Sequence, residues 1–376
     1  MMTAPATSPR RTQDADEVRR VLIFLLGSLG DTTVALPALH AVSREFPRAQ
    51  RRVLTQFSMN AKAIPMSQLL DGTGLVHGYF QVPFASGNAP RLRQFASLIR
   101  EVRAWKPEVL VYMHGQAGRR IAIRDWAAFK AMGITRMIGL PFTKDLQEIR
   151  FNQSENRYED RPEYLARTLA PLGDLRLSDP ASWSLSITEA ELARANEALK
   201  RLGPATGILA MSIGTKIEVN DWGDSNWSEV LGVVGRKFPH WALIAVGAQI
   251  ERKRSEALLK AWVGPCLNLC GDLQVRESAA VLRRANTFIG HDSGPMHLAA
   301  SVGTRCVAIF SARNLPGRWF PHGTGHQVFY RKTECAGCEL SVCIEHKKKC
   351  INAITPAEVA AAVISAVEAS VGGANT

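Results

Sequence analysis

The chain has 376 residues, of which 46% are hydrophobic and 21% are charged, and it carries a net charge of +12. This length suits two globular domains better than one, and no apolar run approaches the ~20 residues that a membrane-spanning helix needs. The positive charge favours acidic partners. Because no basic stretch carries the interleaved aromatic residues of nucleic-acid-binding motifs, we expect a phosphate-bearing substrate or an anionic membrane surface rather than nucleic acid.

The first 18 residues are polar and aperiodic, which predicts a disordered tail. The apolar run that follows, at residues 20–26, is too short for a signal peptide and leads directly into a glycine turn. We therefore predict a strand at this run and a cytoplasmic protein.

Strands and helices alternate through the first half. The sequence predicts strands at residues 20–26, 52–57, 108–115 and 136–140, and helices at residues 32–46 and 94–105. This alternation indicates βαβ units and a parallel sheet. We predict an N-terminal domain over residues 19–180, with a linker within residues 172–186.

The second half repeats this alternation. The pattern of Thr188 and Glu191 is a capping box that opens a helix, and Thr355 and Glu358 open a second one near the C-terminus. Between them the sequence predicts strands at residues 207–213, 241–246, 287–290 and 306–310, and helices at residues 227–238, 277–284 and 296–302. We predict a C-terminal domain over residues 181–352, followed by a helix and tail over residues 353–376, so that two similar α/β halves face each other.

The turn after the first strand contains Gly27, Gly30 and Asp31. Its G-x-x-G spacing, and the lack of an acidic residue after the second strand, exclude the dinucleotide-binding fingerprint. Asp31 stands where a helix begins, at the end of a strand, and can act as a general base. It can equally be a helix cap, since aspartate is favoured there.

Two more polar turns follow predicted strands in the second half. Ser212, Thr215 and Lys216 offer hydroxyl groups and a positive charge to a diphosphate, although the full P-loop pattern of an ATPase is missing. The later turn offers the side chains of Asp292, Ser293 and His297 beside a helix N-terminus, which suits a sugar or a phosphate. The alternative is that Ser293 caps the helix and His297 is one more polar side chain in its first turn.

The seven cysteines fall into two groups. We expect three of them to be small buried residues, namely Cys266, Cys270 and Cys306. The other four are clustered, and their spacing resembles a structural zinc site in which His346 can replace one ligand: Cys335, Cys338, Cys343 and Cys350. Reduced thiols and a disulfide remain open as alternatives.

The three turns in this order resemble glycosyltransferase family 9, the ADP-heptose:lipopolysaccharide heptosyltransferases. The resemblance rests on the segments GSLGDTTVALPAL, SIGTK and HDSGPMHLAASVGTRCVAIF, and it extends over about residues 20–352. It implies the GT-B fold, in which two Rossmann-like domains face each other across a cleft. The acceptor then lies on the N-terminal side and the nucleotide sugar on the C-terminal side.

The resemblance also implies an inverting transfer that needs no metal. Asp31 matches the catalytic base, and Lys216 with Thr215 matches the contact to the donor diphosphate. The segment that holds the donor sugar and phosphates is matched by Asp292, Ser293, Gly294 and His297. The chain departs from the family at Gln249, where heptosyltransferases tend to carry a glutamate that holds the ribose; Glu251 lies two residues further on.

The implied donor is ADP-heptose, and the implied acceptor is a phosphorylated lipopolysaccharide-core precursor met at the inner membrane. Two other classes of protein remain open at this point. One is a nucleotide-sugar-binding protein without transferase activity, and the other is a scaffold stapled by a four-cysteine metal site.

Overall fold

The computed structural model describes residues 13–56, 64–83, 91–115 and 118–372. Residues 1–12 of the predicted disordered tail lie outside this part. The rest of that tail differs from the prediction: a short helix forms there because Ala15 and Val18 are buried in the core.

The described chain contains fifteen α-helices, thirteen strands and a few short 3₁₀ turns. The helices are α1 (Gln13–Glu17), α2 (Leu29–Val34), α3 (Leu36–Glu45), α4 (Ser67–Leu70), α5 (Arg91–Trp105), α6 (Arg119–Ala131), α7 (Lys144–Gln147), α8 (Arg161–Thr168), α9 (Glu189–Lys200), α10 (Asp224–Lys237), α11 (Arg252–Leu259), α12 (Val275–Arg284), α13 (Gly294–Ser301), α14 (Lys349–Asn352) and α15 (Pro356–Gly372). The strands are β1 (Arg20–Phe24), β2 (Gln50–Thr55), β3 (Tyr79–Gln81), β4 (Val109–Tyr112), β5 (Arg136–Ile138), β6 (Phe151–Asn152), β7 (Arg157–Tyr158), β8 (Ile208–Ser212), β9 (Ala242–Ala245), β10 (Cys266–Asn268), β11 (Thr287–His291), β12 (Arg305–Phe310) and β13 (Gln327–Tyr330).

The first half is built on a five-stranded parallel sheet in the order β3-β2-β1-β4-β5. The central strand β1 is apolar along its length because helices cover both faces of the sheet. Val21 and Ile23 point into a core shared with α3, whereas Leu22 and Phe24 point into a second cluster beneath α5 and α6. The strand order reverses between β1 and β4.

The second half is built on a six-stranded parallel sheet in the order β10-β9-β8-β11-β12-β13. Its strand order reverses between β8 and β11. The terminal helix α15 covers one face: Val359, Val363 and Val367 recur every four residues and are buried where α15 packs against β11 and β12. Ligands of open α/β sheets bind at the carboxyl ends of the strands where the strand order reverses. The fold therefore predicts a ligand site at the turns after β1, β8 and β11.

Two expectations about this framework are wrong. The helix predicted at residues 32–46 is divided at Ala35 into α2 and α3, because Pro37 has no N–H to continue the helical hydrogen bonds. Cys266 is exposed, because it begins the short edge strand β10, whereas Cys270 and Cys306 are buried as predicted. Both predicted capping boxes form, with Glu191 accepting from Thr188 N at 2.7 Å and Glu358 accepting from Thr355 N at 2.9 Å.

The two halves are in direct contact. Helix α2 of the first half packs against α13 of the second, and one buried apolar cluster continues from the first half into the second. Within the described ranges, no helix combines the length and apolar character needed to cross a membrane.

Candidate active site

A cavity of about 410 Å³ lies between the halves, at the carboxyl ends of both sheets. It is lined by the turns after β1, β8, β9 and β11 and by the loop after β12. The predicted site residues that line it are Gly30, Asp31, Thr215, Lys216, Asp292, Ser293, Gly294 and His297. The fold therefore brings together three turns that are far apart in sequence.

Asp31 is the third residue of α2 and not its N-cap, which is Ser28. Its carboxylate reaches back and accepts the backbone N–H of Ser28 at 2.9 Å through Oδ2. Gly27 does not line the cavity but makes this conformation accessible: its φ is +140°, and a Cβ there would lie 2.3 Å from the Asp31 side chain. Asp31 thus has a local structural role while its carboxylate lines the cavity.

Lys216 spans the gap between the halves. Its Nζ donates a hydrogen bond to Ser28 Oγ, next to Asp31. Burial lowers the pKa of Lys216, and the nearby charge of Asp31 offsets part of this effect. The hydroxyl of Thr215 is engaged in its own loop, where it donates to Ile217 O at 3.0 Å, so this side chain shapes the turn that presents the lysine.

Ser293 is the N-cap residue of α13, but its side chain makes no capping hydrogen bond. Its Oγ is buried and, among the described residues, has no hydrogen-bond partner. A buried hydroxyl without a partner is uncommon in folded proteins. Because it lies at a helix N-terminus in the cavity wall, we interpret it as a group that is available to a ligand.

Asp292 and His297 face each other, with His297 Nε2 at 4.0 Å from Asp292 Oδ1. The side chain of Asp292 is only 14% exposed. Burial raises the pKa of Asp292 to about 7, although the charge of Arg313 and a hydrogen bond from Asn314 counteract it. Burial lowers the pKa of His297 to about 4, so this imidazole is neutral near neutral pH.

The N-termini of α2 and α13 approach each other closely at glycines. A Cβ at Gly294 would lie 3.0 Å from the side chain of Leu29, and one at Gly30 would lie 3.1 Å from the ring of His297. Glycine therefore lets the turn that carries Asp31 and the turn that carries Asp292 share one cavity.

Two predicted donor residues do not line the cavity. Ser212 is buried in β8, where its Oγ has no partner among the described residues, and Gln249 is exposed beside Gly271. Glu251 lines the cavity instead, and its Oε2 accepts the N–H of Ala248 at 2.8 Å.

Sequence reasoning did not single out several polar residues of the cavity, namely Asn220, Arg313 and Asn314. Arg313 and Asn314 belong to the segment ARNLPGRWFPHG, and the resemblance of this segment to the family was the available signal. Asn220 lies in an irregular loop after β8 and had no such signal.

Several solved structures share this architecture, and two of them are similar over nearly the whole chain. A glycosyltransferase family 9 protein from Veillonella parvula has a TM-score of 0.68 and 18% identity, and the match covers 93% of this chain and 97% of that one. ADP-heptose lps heptosyltransferase II from E. coli has a TM-score of 0.62 and 14% identity, with 95% and 100% covered. No curated protein sequence matches the chain.

The family signature described as Glycosyltransferase family 9 (heptosyltransferase) matches residues 155–349, which is more than half of the chain. The chain belongs to glycosyltransferase family 9. The GT-B fold that the sequence predicted is confirmed by the two parallel sheets and by these structural neighbours.

The clustered cysteines of this family 9 protein lie between β13 and α14 and in α14, and none forms a disulfide. In the described part of the chain, no three His, Cys, Asp or Glu side chains are placed to hold a metal ion, and the predicted zinc site stays a prediction. An iron-containing dodecameric glycosyltransferase from E. coli, TibC, shares the fold with a TM-score of 0.50 and 14% identity, over 94% of this chain and 77% of that one.

Proposed function

We propose that this chain is an inverting glycosyltransferase that moves a sugar from a nucleotide-sugar donor to an acceptor hydroxyl. The observation that carries the proposal is the single cavity in which Asp31 of the first half faces Lys216, Asp292, Ser293 and His297 of the second. We assign the acceptor side to residues 19–180 and the donor side to residues 181–352, with the terminal helix and tail over residues 353–376.

In the proposed reaction, the Asp31 carboxylate accepts the proton of the acceptor hydroxyl. The acceptor oxygen forms a bond to the anomeric carbon while the bond from that carbon to the diphosphate breaks, so attack from the opposite face inverts the configuration. Negative charge accumulates on the leaving diphosphate. We propose that Lys216 and the N-terminal amides of α13 neutralise this charge, so that the transfer needs no metal.

We propose ADP-heptose as the donor and a phosphorylated lipopolysaccharide-core precursor as the acceptor, met at the cytoplasmic face of the inner membrane. Membership of the heptosyltransferase family and the likeness to the E. coli ADP-heptose enzyme support this choice. The net charge of +12 supports an acceptor or a membrane surface that carries negative charge. Glu251 is proposed to hold the ribose in place of Gln249, because Glu251 lines the cavity.

Calorimetric titration of the purified protein with ADP, UDP and GDP tests this donor. We expect ADP to bind most tightly, and a transfer assay with ADP-heptose in the presence and absence of a chelator then tests the reaction and its independence from metal. Preference for UDP or GDP would be consistent with a glycosyltransferase but would reject ADP-heptose as its donor. Binding of none of the three would reject the nucleotide-sugar site.

The non-catalytic and scaffold alternatives have weaker support, because the cavity joins a carboxylate on one side to cationic and polar groups on the other. The cysteine cluster remains a candidate for structural zinc on ligand chemistry alone. Metal analysis of the purified protein decides this point: near-stoichiometric zinc, with loss of thermal stability on chelation, is the result that a structural site predicts.

A further inference from the structure

Two neighbouring helices of the first half, α5 and α6, carry much of the positive charge. Their sequences, RLRQFASLIREVRAW and RRIAIRDWAAFKA, contain eight basic and two acidic residues. One of the acids, Asp125, is buried, and it accepts hydrogen bonds from Tyr112 at 2.8 Å and from Arg124 at 2.6 Å. The outward face of α6, all of whose residues are described, therefore has no acidic side chain.

The same helix exposes large apolar side chains. Ile123 and Trp126 are 48% and 41% exposed, although Ala122 and Phe129 already supply the face that packs on the sheet. Ile121 is 41% exposed on the opposite flank of the helix. Phe95 on the adjacent helix α5 is exposed as well. A helix packed against a sheet ordinarily turns polar residues outward, so this apolar face needs a partner.

Apolar and basic side chains are mixed on this face. Arg119, Ile123, Trp126 and Lys130 follow one another at intervals of four, three and four residues, which places them in one stripe along α6. The Lys130 ammonium lies 5.9 Å from the centre of the Trp126 ring. Helices that lie in the headgroup region of a bilayer typically carry tryptophan and isoleucine with arginine and lysine beside them.

The position of the helices relates this face to the cavity. Strands β1 and β4 are parallel neighbours, so the turn that carries Asp31 and the N-terminus of α6 lie at the same edge of the sheet. His114, just after β4, has its ring centre 5.4 Å from that of Phe24 in β1, and its pKa, which burial lowers, is raised in part by the charge of Asp31. The exposed apolar face thus begins on the acceptor side of the cavity.

We propose that the α5–α6 surface, defined here as Phe95, Ile123 and Trp126 with Arg119, Arg120 and Lys130, docks onto a bilayer that contains anionic phospholipids. The apolar side chains enter the interface and the cations bind headgroups, each near-surface cation adding to the attraction. The purpose of docking rests on the proposed function, since it brings the Asp31 edge to a membrane-borne acceptor. A second copy of the chain is disfavoured as the occupant because two such basic faces repel each other.

Co-sedimentation of the full chain with vesicles tests the proposal without donor or acceptor. We expect binding to vesicles of phosphatidylcholine and phosphatidylglycerol, weaker binding at high salt, and little binding to phosphatidylcholine alone. The double variant Ile123→Ser/Trp126→Ser should lower partitioning by about tenfold or more, because two apolar side chains no longer enter the interface. Arg119→Glu/Lys130→Glu should lower it on anionic vesicles and remove most of the salt dependence.

The control is Ile250→Ser, which removes an apolar side chain that is 63% exposed in the second half. It should leave vesicle binding unchanged. Equal partitioning of the wild type and both double variants would overturn the proposal, as would self-association that the same variants abolish. ADP titration of each variant keeps this outcome separate from the proposed function: intact ADP binding without vesicle binding rejects the docking surface alone.

Discussion

Asp31 lies among basic side chains supplied by both halves. Its charge acts on Arg161 and on Lys216 and Arg318, and burial lowers the pKa of all three cations. Arg161 donates to Met113 O at 2.5 Å and therefore holds a fixed position near the end of β4. Such an arrangement attracts an anionic acceptor to the carboxylate that is proposed to take its proton.

We expect Asp31→Asn to lower turnover by about 10²- to 10⁴-fold, the usual contribution of a positioned general base. The amide oxygen can still accept the Ser28 N–H, so the turn should persist and ADP should bind with nearly unchanged affinity. Steady-state kinetics and calorimetry measure the two quantities. Unchanged turnover would leave Asp31 with only its role at the start of α2.

Lys216→Ala should weaken ADP binding by about 1.5–3 kcal/mol, the range for hydrogen bonds to charged groups. The matched control is Ser28→Ala, which removes the hydroxyl that Lys216 contacts but keeps the lysine. It should bind ADP at least as well as the wild type. If Lys216→Ala and the wild type bind ADP equally, the lysine does not contact the diphosphate.

Asp292 should make stability depend on pH. Because burial raises its pKa from 3.8 to about 7, the folded protein holds a proton that the unfolded chain releases between these values, and stability falls as pH rises through this window. Asp292→Asn removes this dependence, so the variant should gain stability relative to the wild type from about pH 4 to about pH 7. Urea unfolding of both proteins across this range measures the difference, and parallel profiles would contradict the assignment.

The site residues that could be predicted from sequence share a local signature. Asp31, Lys216 and Asp292 each stand in a short polar turn directly after an apolar strand, and the fold places all three turns in one cavity. Asn220 had no such signature, because its position depends on a loop that only long-range packing fixes. Arg313 also follows an apolar strand, β12, but the sequence reasoning did not single it out. Gln249 was predicted because it matches the position of the family's glutamate in the sequence. The residue that lines the cavity is Glu251, two positions further on, so a match in sequence position did not identify it.

At the scale of elements, the buried central strands were predictable, whereas of the four edge strands of the two parallel sheets only β5 was predicted. Strands β1, β8, β11 and β12 consist mainly of apolar residues because both of their faces are covered. The edge strands β3, β10 and β13 have only three or four residues and are partly exposed, so no periodic signal marks them. The helices α4 and α7 have only four residues each, so they too are too short to produce a periodic signal in the sequence.

The contact between α2 and α13 is the element on which the cavity depends. Gly294→Ala would place a methyl group 3.0 Å from Leu29, and we expect a loss of about 1–3 kcal/mol in the free energy of unfolding, as in other overpacked contacts. In a Leu29→Ala background the same substitution should cost less, because the opposing side-chain atoms beyond Cβ are gone. Chemical denaturation of the four proteins in this cycle gives the coupling free energy.

Gly118→Ala is the control for the substitution itself. Gly118 precedes α6 at a negative φ, and none of the described residues lies within 4 Å of a Cβ there. Its replacement should change stability by about 0.5 kcal/mol or less. Additive losses for Leu29→Ala and Gly294→Ala would show that the two helices do not meet at this glycine.

For the whole molecule, Arg276 of α12 joins segments from both halves. Its guanidinium donates to Leu69 O at 3.4 Å in α4, to Leu185 O at 2.7 Å and Ser186 O at 3.0 Å in the linker, and to Glu191 Oε1 at 2.5 Å in α9. It is buried, and the capping box of α9 fixes the carboxylate opposite it. The arginine therefore connects the first half, the linker and the second half in one network, which the sequence alone did not indicate.

Arg276→Met should lower the free energy of unfolding by about 3–5 kcal/mol, because it leaves Glu191 and three carbonyl groups without their donor. The control is Arg283→Met, which makes the same substitution at an exposed position of the same helix. It should lower the free energy of unfolding by about 0.5 kcal/mol or less. Urea unfolding followed by tryptophan fluorescence measures both. If the two variants lose equal stability, the network is not what holds the halves together, and the shared apolar cluster must carry that role. If Arg276→Met is instead far less stable and its ADP affinity also falls, the relative placement of the two halves depends on this one side chain.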